Sequence, residues 1–247
     1  MIRLLLASGT TLVAAFVLAP AALLNNPDDV LRDSLGPALV AYWRAGTPQF
    51  PAALADLVDY WYRWHAIKVV ISALMLTVFT LLAVALWRRH LHRATARYPA
   101  IGATVFAVLA TGLLMLNIQA TAVPVIALLS LLPDSTPGRD LDQALQQMRQ
   151  ALTEPAGSPA LTALLGQAEH YHWIMAAMAA TLTTATGLAS ALLWRRRHAG
   201  NPRISSMRKT LGIILALTAS LLLLAATAST LSATTPADTL RAVISPS

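Results

Sequence analysis

Six histidines and a scatter of carboxylates hold most of the side chains that could bind a metal or move a proton in this chain. There is no cysteine. Disulfides, thiolate-ligated zinc, iron–sulfur clusters and thiol catalysis are therefore excluded. His65 opens one long apolar run, and Glu169-His170-Tyr171-His172-Trp173 opens another. Asp56 and Asp59 lie one to two helical turns before His65. Imidazole combined with carboxylate suits zinc, copper or non-haem iron. A haem would need axial histidines facing each other across helices. The candidate metal or haem set is thus His65, His172, His170, Glu169 and Asp59. Spacing argues for restraint, because His170 and His172 point about 200° apart on a helix and cannot chelate one ion together. No pair of histidines has the i,i+4 spacing of the zinc-protease helix. The plainer reading is a set of interfacial histidines beside aromatic residues, with no cofactor expected.

Asn117 and Gln119 form a second polar feature, inside the longest apolar run. A lone amide in lipid is costly, so each is expected to face another helix. Interhelical bonding is the ordinary role, and a contact with a substrate or quinone is the alternative. No nucleotide-binding loop, Ser/His/Asp arrangement or glycosyl-transfer acid pair is recognisable. These absences lean away from an enzyme.

The elements that must position these residues are membrane helices. Charged residues make up 12% of the 247 residues and hydrophobic residues 56%, whereas soluble domains carry about 25% charged residues. Five stretches reach the roughly 20 apolar residues that a spanning helix requires: Leu4–Leu24, Ile67–Trp87, Ile101–Leu132, Trp173–Trp194 and Leu211–Leu231. The expected fold is an all-α polytopic bundle of five transmembrane helices with a small extracytoplasmic helical cap. Residues 1–24 are read as a signal-anchor helix, although Ala19-Pro20-Ala21 resembles a signal-peptide cleavage site. Residues 25–65 and 133–171 are read as extracytoplasmic helical segments. Residues 66–132 hold spans two and three around a basic turn at 88–100. Residues 172–231 hold spans four and five around a basic turn at 195–210, and 232–247 is a tail. Pro124 removes a backbone donor, so span three is expected to end near it, with Val125–Leu132 bent over at the outer surface or strongly tilted.

Charge sets the expected orientation. Arg88, Arg89, Arg93 and Arg97 form one basic block, and Arg195, Arg196, Arg197, Arg203, Arg208 and Lys209 the other. With Arg3 they place the N-terminus in the cytoplasm and the C-terminus outside by the positive-inside rule. All 11 acidic residues then fall on the other side. The net charge of +7 is explained by these blocks, so nucleic acid is rejected as a partner. The arginines at 88, 89, 93 and 195–197 also suit anionic lipid. Trp61, Trp64, Trp87, Trp173 and Trp194 fit an interfacial belt. Aligning Trp87-Arg88-Arg89-His90 with Trp194-Arg195-Arg196-Arg197 brings His65 onto His172, which suggests two helical hairpins in one orientation.

Trp64-His65-x-x-Lys68 at the entry of span two, with Asn25-Asn26-Pro27 after span one, resembles the anthrone oxygenase-like family of small bacterial membrane proteins. That family shows Trp-Asn-x-x-Arg and an Asn-Pro turn, so this chain carries His for Asn and Lys for Arg. The resemblance covers about residues 10–90 and implies a small helical membrane bundle, without carrying over an oxygenase activity.

Three functions follow as expectations. The first is an integral accessory or structural subunit of a bacterial inner membrane, docking a membrane-protein partner or a second copy. The second is a membrane oxidoreductase with a metal, haem or quinone site at the outer face. The third is a carrier of lipid or a small hydrophobe, working near Asn117 and Gln119.

Overall fold

The structure is a computed structural model that describes residues 1–24, 28–93, 96–132, 138–153, 157–197 and 201–244. Asn25, Asn26, Pro27, Asp134, the Glu154-Pro155-Ala156 turn and His198 lie outside the described residues. The described chain is all-α: α1 (Ile2–Leu24), α2 (Asp28–Ala45), α3 (Ala52–Arg93), α4 (Arg97–Ala122), α5 (Pro124–Leu129), α6 (Arg139–Ala151), α7 (Pro159–Arg195), α8 (Pro202–Thr234) and α9 (Pro236–Ile244). Helices α1, α3, α4, α7 and α8 are long and apolar enough to cross a bilayer. The protein is a multi-pass membrane protein.

The chain divides into two compact units. Unit 1 comprises Met1–Ala19, Ile67–Asn117 and Met175–Ala228, and its helices are parts of the five long ones. Large side chains of α3 (Ile71, Met75, Phe79, Leu82, Leu86) pack with the small Ala100, Ala103 and Ala110 of α4. Large-on-small pairing lets helices approach closely. Gly9 of α1 extends this, since a Cβ there would come within 3.1 Å of the Phe79 ring. Helix α8 meets α7 at Gly212, against the indole of Trp194, and Ser190 Oγ donates to the Gly212 carbonyl at 2.8 Å. Trp87 is buried, and its indole N–H donates to Thr104 Oγ1 at 3.1 Å. Lys68 lies over the Phe16 ring at 5.1 Å. Arg203 donates to the carbonyl of Leu91 near the C-terminus of α3, which puts both basic turns at one end of the unit. Helix-end carbonyls lack intrahelical donors, so a guanidinium is a fitting partner.

Unit 2 comprises Pro20–Ala66, Ile118–Ile174 and Ser229–Ser247. Its core is built on α2, whose Leu31, Leu35, Leu39 and Tyr42 recur at helical spacing and are fully buried. A proline in a helix interior usually interrupts it, yet α2 runs through Pro37. A proline costs one backbone bond; Pro37 sits on the exposed face, and four buried side chains on the other face hold the helix together. Gly46, at φ 65°, follows the end of α2, where a left-handed residue terminates a helix and glycine adopts it without strain.

The amphipathic α6 buries Leu141, Ala144 and Met148 and packs on α2. A Cβ on Gly36 would reach within 3.1 Å of Leu141. The chain breaks at Val123, as Pro124 demands, and α5 is enclosed by other residues of unit 2. Its residues Val125, Ile126, Ala127, Leu128 and Leu129 are all buried. Five consecutive buried positions require neighbours on every side, which only a packed core supplies. Residues 232–247, read as a tail, instead contain the last turn of α8 and helix α9, whose Leu240 and Ile244 join the same core. The Leu240/Ile244 pair is too short a pattern to stand out from sequence.

Tyr42 is the clearest polar lock in unit 2. Its hydroxyl donates to the Ala160 carbonyl at 2.9 Å, both groups buried. Burial holds the phenol above its ordinary value of 10.0. The neutral form is the one that folding favours, so its contribution is complete below pH 10 and is lost as pH rises through the raised value. Tyr42→Phe should lower stability by about 1 kcal/mol, because it removes a buried hydrogen bond. Thermal unfolding of full-length protein in detergent tests this. The variant should melt earlier at neutral pH and lose less additional stability than wild type between pH 9 and 11.

Candidate functional site

The histidine and carboxylate candidates all fall in unit 2, on the parts of α3 and α7 that lead into the apolar spans. His65 Nδ1 lies 3.0 Å from the Trp61 carbonyl, and the two rings are 4.6 Å apart. A carbonyl can only accept, so Nδ1 carries the proton in this contact. His172 packs edge-on to Tyr171 at 5.3 Å. Its Nε2 is buried, and no hydrogen bond reaches it from the described residues.

The remaining candidates are engaged locally. Asp59 pairs with Arg63 at 2.7 Å on the exposed side of α3. Glu169 Oε1 accepts from the Trp173 indole at 3.3 Å, one turn along α7. His170 is exposed. Among the described residues, no three His, Asp or Glu side chains gather where one metal ion could sit. The convergence expected of His65, His170, His172, Glu169 and Asp59 is therefore not formed as a three-ligand group. The reason is local: i,i+4 partners on the same helices take up the two carboxylates.

The amide pair divides. Gln119, almost wholly buried, donates through Nε2 to the Tyr171 carbonyl at 2.9 Å. This bond joins α4 to α7 within unit 2. Asn117 falls in unit 1 and donates to the Leu113 carbonyl of its own helix at 2.7 Å. Two residues apart on α4, the two amides point to roughly opposite sides of the helix and so meet different settings.

Sequence reasoning missed one polar region of unit 2. Trp43 Nε1 donates to Gln147 Oε1 at 2.9 Å, and Arg44 pairs with Asp140 at 3.3 Å. Beside them, Asp33, Gly36, Val40 and Leu141 help line a cleft of about 460 Å³. The available signal was the leucine stripe of α2, hidden by Pro37. The Arg44–Asp140 pair is exposed, so it contributes at most about 1 kcal/mol. Comparison of the chain with family models, with curated proteins and with solved structures found no match, and nothing there bears on the anthrone oxygenase-like resemblance.

Two substitutions separate a structural role from a ligand role. Gln119→Leu removes the buried hydrogen bond to the Tyr171 carbonyl and should lower the thermal midpoint by a few degrees. His172→Phe removes a buried nitrogen without a partner, and is expected to leave the midpoint unchanged or higher. A clear fall for His172→Phe, together with loss of a stoichiometric metal by elemental analysis, would instead assign that imidazole to a ligand.

Proposed function

We propose that this chain is an integral membrane accessory subunit, without catalysis of its own, that docks a partner membrane protein or a second copy of itself. One observation carries the reading. Along α7, Ala180, Thr184, Gly187 and Ala191 share one helical face, and all four are exposed or half-exposed. A Cβ added at Gly187 would meet nothing within 4 Å. The Thr184 hydroxyl is satisfied by the Ala180 carbonyl at 2.9 Å, so the face makes no polar demand. In hydrocarbon, bulky side chains pack against lipid as well as against protein. Small residues gain when another helix backbone comes close. An open small-residue face on a membrane helix therefore favours a helical partner.

The absence of cysteine allows a direct test. Single-cysteine variants at Gly187 and Ala191 should form an oxidative dimer in membranes if a second copy docks there, while one at Ala185, exposed on a different face of α7, should not. If a different protein docks, Gly187→Leu should abolish a stoichiometric companion that co-purifies in mild detergent. A solitary monomer that is indifferent to all these changes would overturn the reading.

The same proposal places the chain in the cell membrane of a bacterium, with both basic turns cytoplasmic and the C-terminus outside. The shared end of the two turns, tied by Arg203 and Leu91, supports one side for both. A cysteine at Asn201 should resist a membrane-impermeant maleimide in intact cells. One at Thr47 should react. The reverse pattern would invert the topology.

A further inference from the structure

Unit 1 contains no Asp or Glu, although it carries twelve of the 18 Lys and Arg residues. Counter-charge for its basic end must come from outside the unit. An apolar groove lies beside that end. It has a volume of about 550 Å³ and runs between α1, α3 and α4, along Leu6, Gly9, Val13, Phe79, Leu86 and Gly102. This is within the roughly 300–1,000 Å³ of ligand pockets. Phe106, stacked on Phe79 at 5.2 Å, forms one wall. Gly102 leaves the opposite side open, because a Cβ there would meet nothing within 4 Å. Thr10, the one hydroxyl in the groove, donates to carbonyls of its own helix. The groove thus offers a polar ligand nothing and a hydrocarbon chain a complete wall.

Helical register connects the groove to charge. On α1 the lining residues Leu6, Gly9, Thr10 and Val13 continue back, three residues earlier, to Arg3. On α3, Phe79, Leu82 and Leu86 continue forward to Arg89 and Arg93, three and seven residues on. These spacings keep each arginine on the groove's own helical face. Arg3, Arg89 and Arg93 are exposed, and no ion pair with a described residue engages them. From Leu6 to Val13 the groove runs about 10 Å, which fits within one leaflet of a ~30 Å hydrocarbon core.

We propose that this groove is a binding site for one anionic phospholipid, with an acyl chain against Phe79, Phe106 and Gly102 and the phosphate held by Arg3, Arg89 and Arg93. Each arginine near a membrane surface contributes about 1 kcal/mol toward an anionic lipid, or about fivefold in affinity.

Delipidated full-length protein, incubated with dioleoyl phosphatidylglycerol or dioleoyl phosphatidylcholine and read by native mass spectrometry, tests the site. Wild type should retain one phosphatidylglycerol under activation that strips phosphatidylcholine. Gly102→Leu and Thr10→Phe fill the groove from two helices. Each should lose the retained lipid while staying monodisperse and helical by circular dichroism. The double change Arg89→Gln with Arg93→Gln should weaken phosphatidylglycerol retention about 25-fold and leave phosphatidylcholine unaffected. Because it alters only exposed side chains, it decides the question even if both filled variants misfold. Arg195→Gln with Arg196→Gln, at the other basic turn, should change little. Equal retention of both lipids would overturn the proposal. So would equal loss from the two arginine pairs, full retention by the folded groove-filled variants, or a dimer of wild type that Gly102→Leu dissociates.

Discussion

A peptide group in hydrocarbon has no water to bond, so a spanning segment must satisfy its own N–H and C=O groups. That constraint governs this protein more than any single contact. It keeps the apolar stretches of α3 and α7 helical, within helices of 42 and 37 residues, and it dictates what the hydroxyls along the spans do. Thr181, Thr184, Thr186 and Ser220 each donate to a carbonyl one turn back, at 2.8, 2.9, 2.6 and 3.0 Å. These side chains are polar in sequence but silent in the membrane. The rule yields only where the chain finds a packed environment. At Val123 and Pro124 the backbone breaks, and the freed segment becomes α5 in the core of unit 2.

Charge follows the same division. All 11 carboxylates belong to unit 2, while unit 1 is purely cationic. Burying a carboxylate among the spans would cost several kcal/mol without a matching partner. Arginines at helix ends avoid that cost by reaching headgroups or free carbonyls, as Arg203 does at Leu91 and Arg208 at Arg196. The two units consequently rely on different chemistry. Unit 1 uses large-on-small packing of Phe, Leu and Met with Ala and Gly. Unit 2 adds specific polar ties, Tyr42 to Ala160, Trp43 to Gln147 and Gln119 to Tyr171. Docking through a small-residue helix face and retention of an anionic lipid are both consistent with a unit 1 that has neither its own counter-charge nor polar demands on its surface.

The candidate site was only partly legible. Sequence located His65 and His172 at the mouths of apolar runs and Gln119 inside one, and all three fall in unit 2. Sequence could not see that Asp59 and Glu169 have partners four residues away on their own helices. Spacing of i,i+4 makes such pairs available, but competition between a local and a distant partner is settled by rotamers and neighbours. Asn117 and Gln119 looked equivalent for the same reason, and their bonds differ because each faces a different environment.

What the sequence by itself determined was the number of helices long and apolar enough to span, the break at Pro124 and the separation of acids from bases. These follow from hydropathy, backbone chemistry and formal charge, which are properties of short stretches and need no fold. The tertiary structure alone decided that α2 continues through Pro37, that α5 and α9 belong to a core, and that Gly9, Phe79 and Gly102 border an open groove. Each of these depends on which surfaces meet, and the energy of a buried face is shared among residues far apart in the chain, so no local pattern contains it.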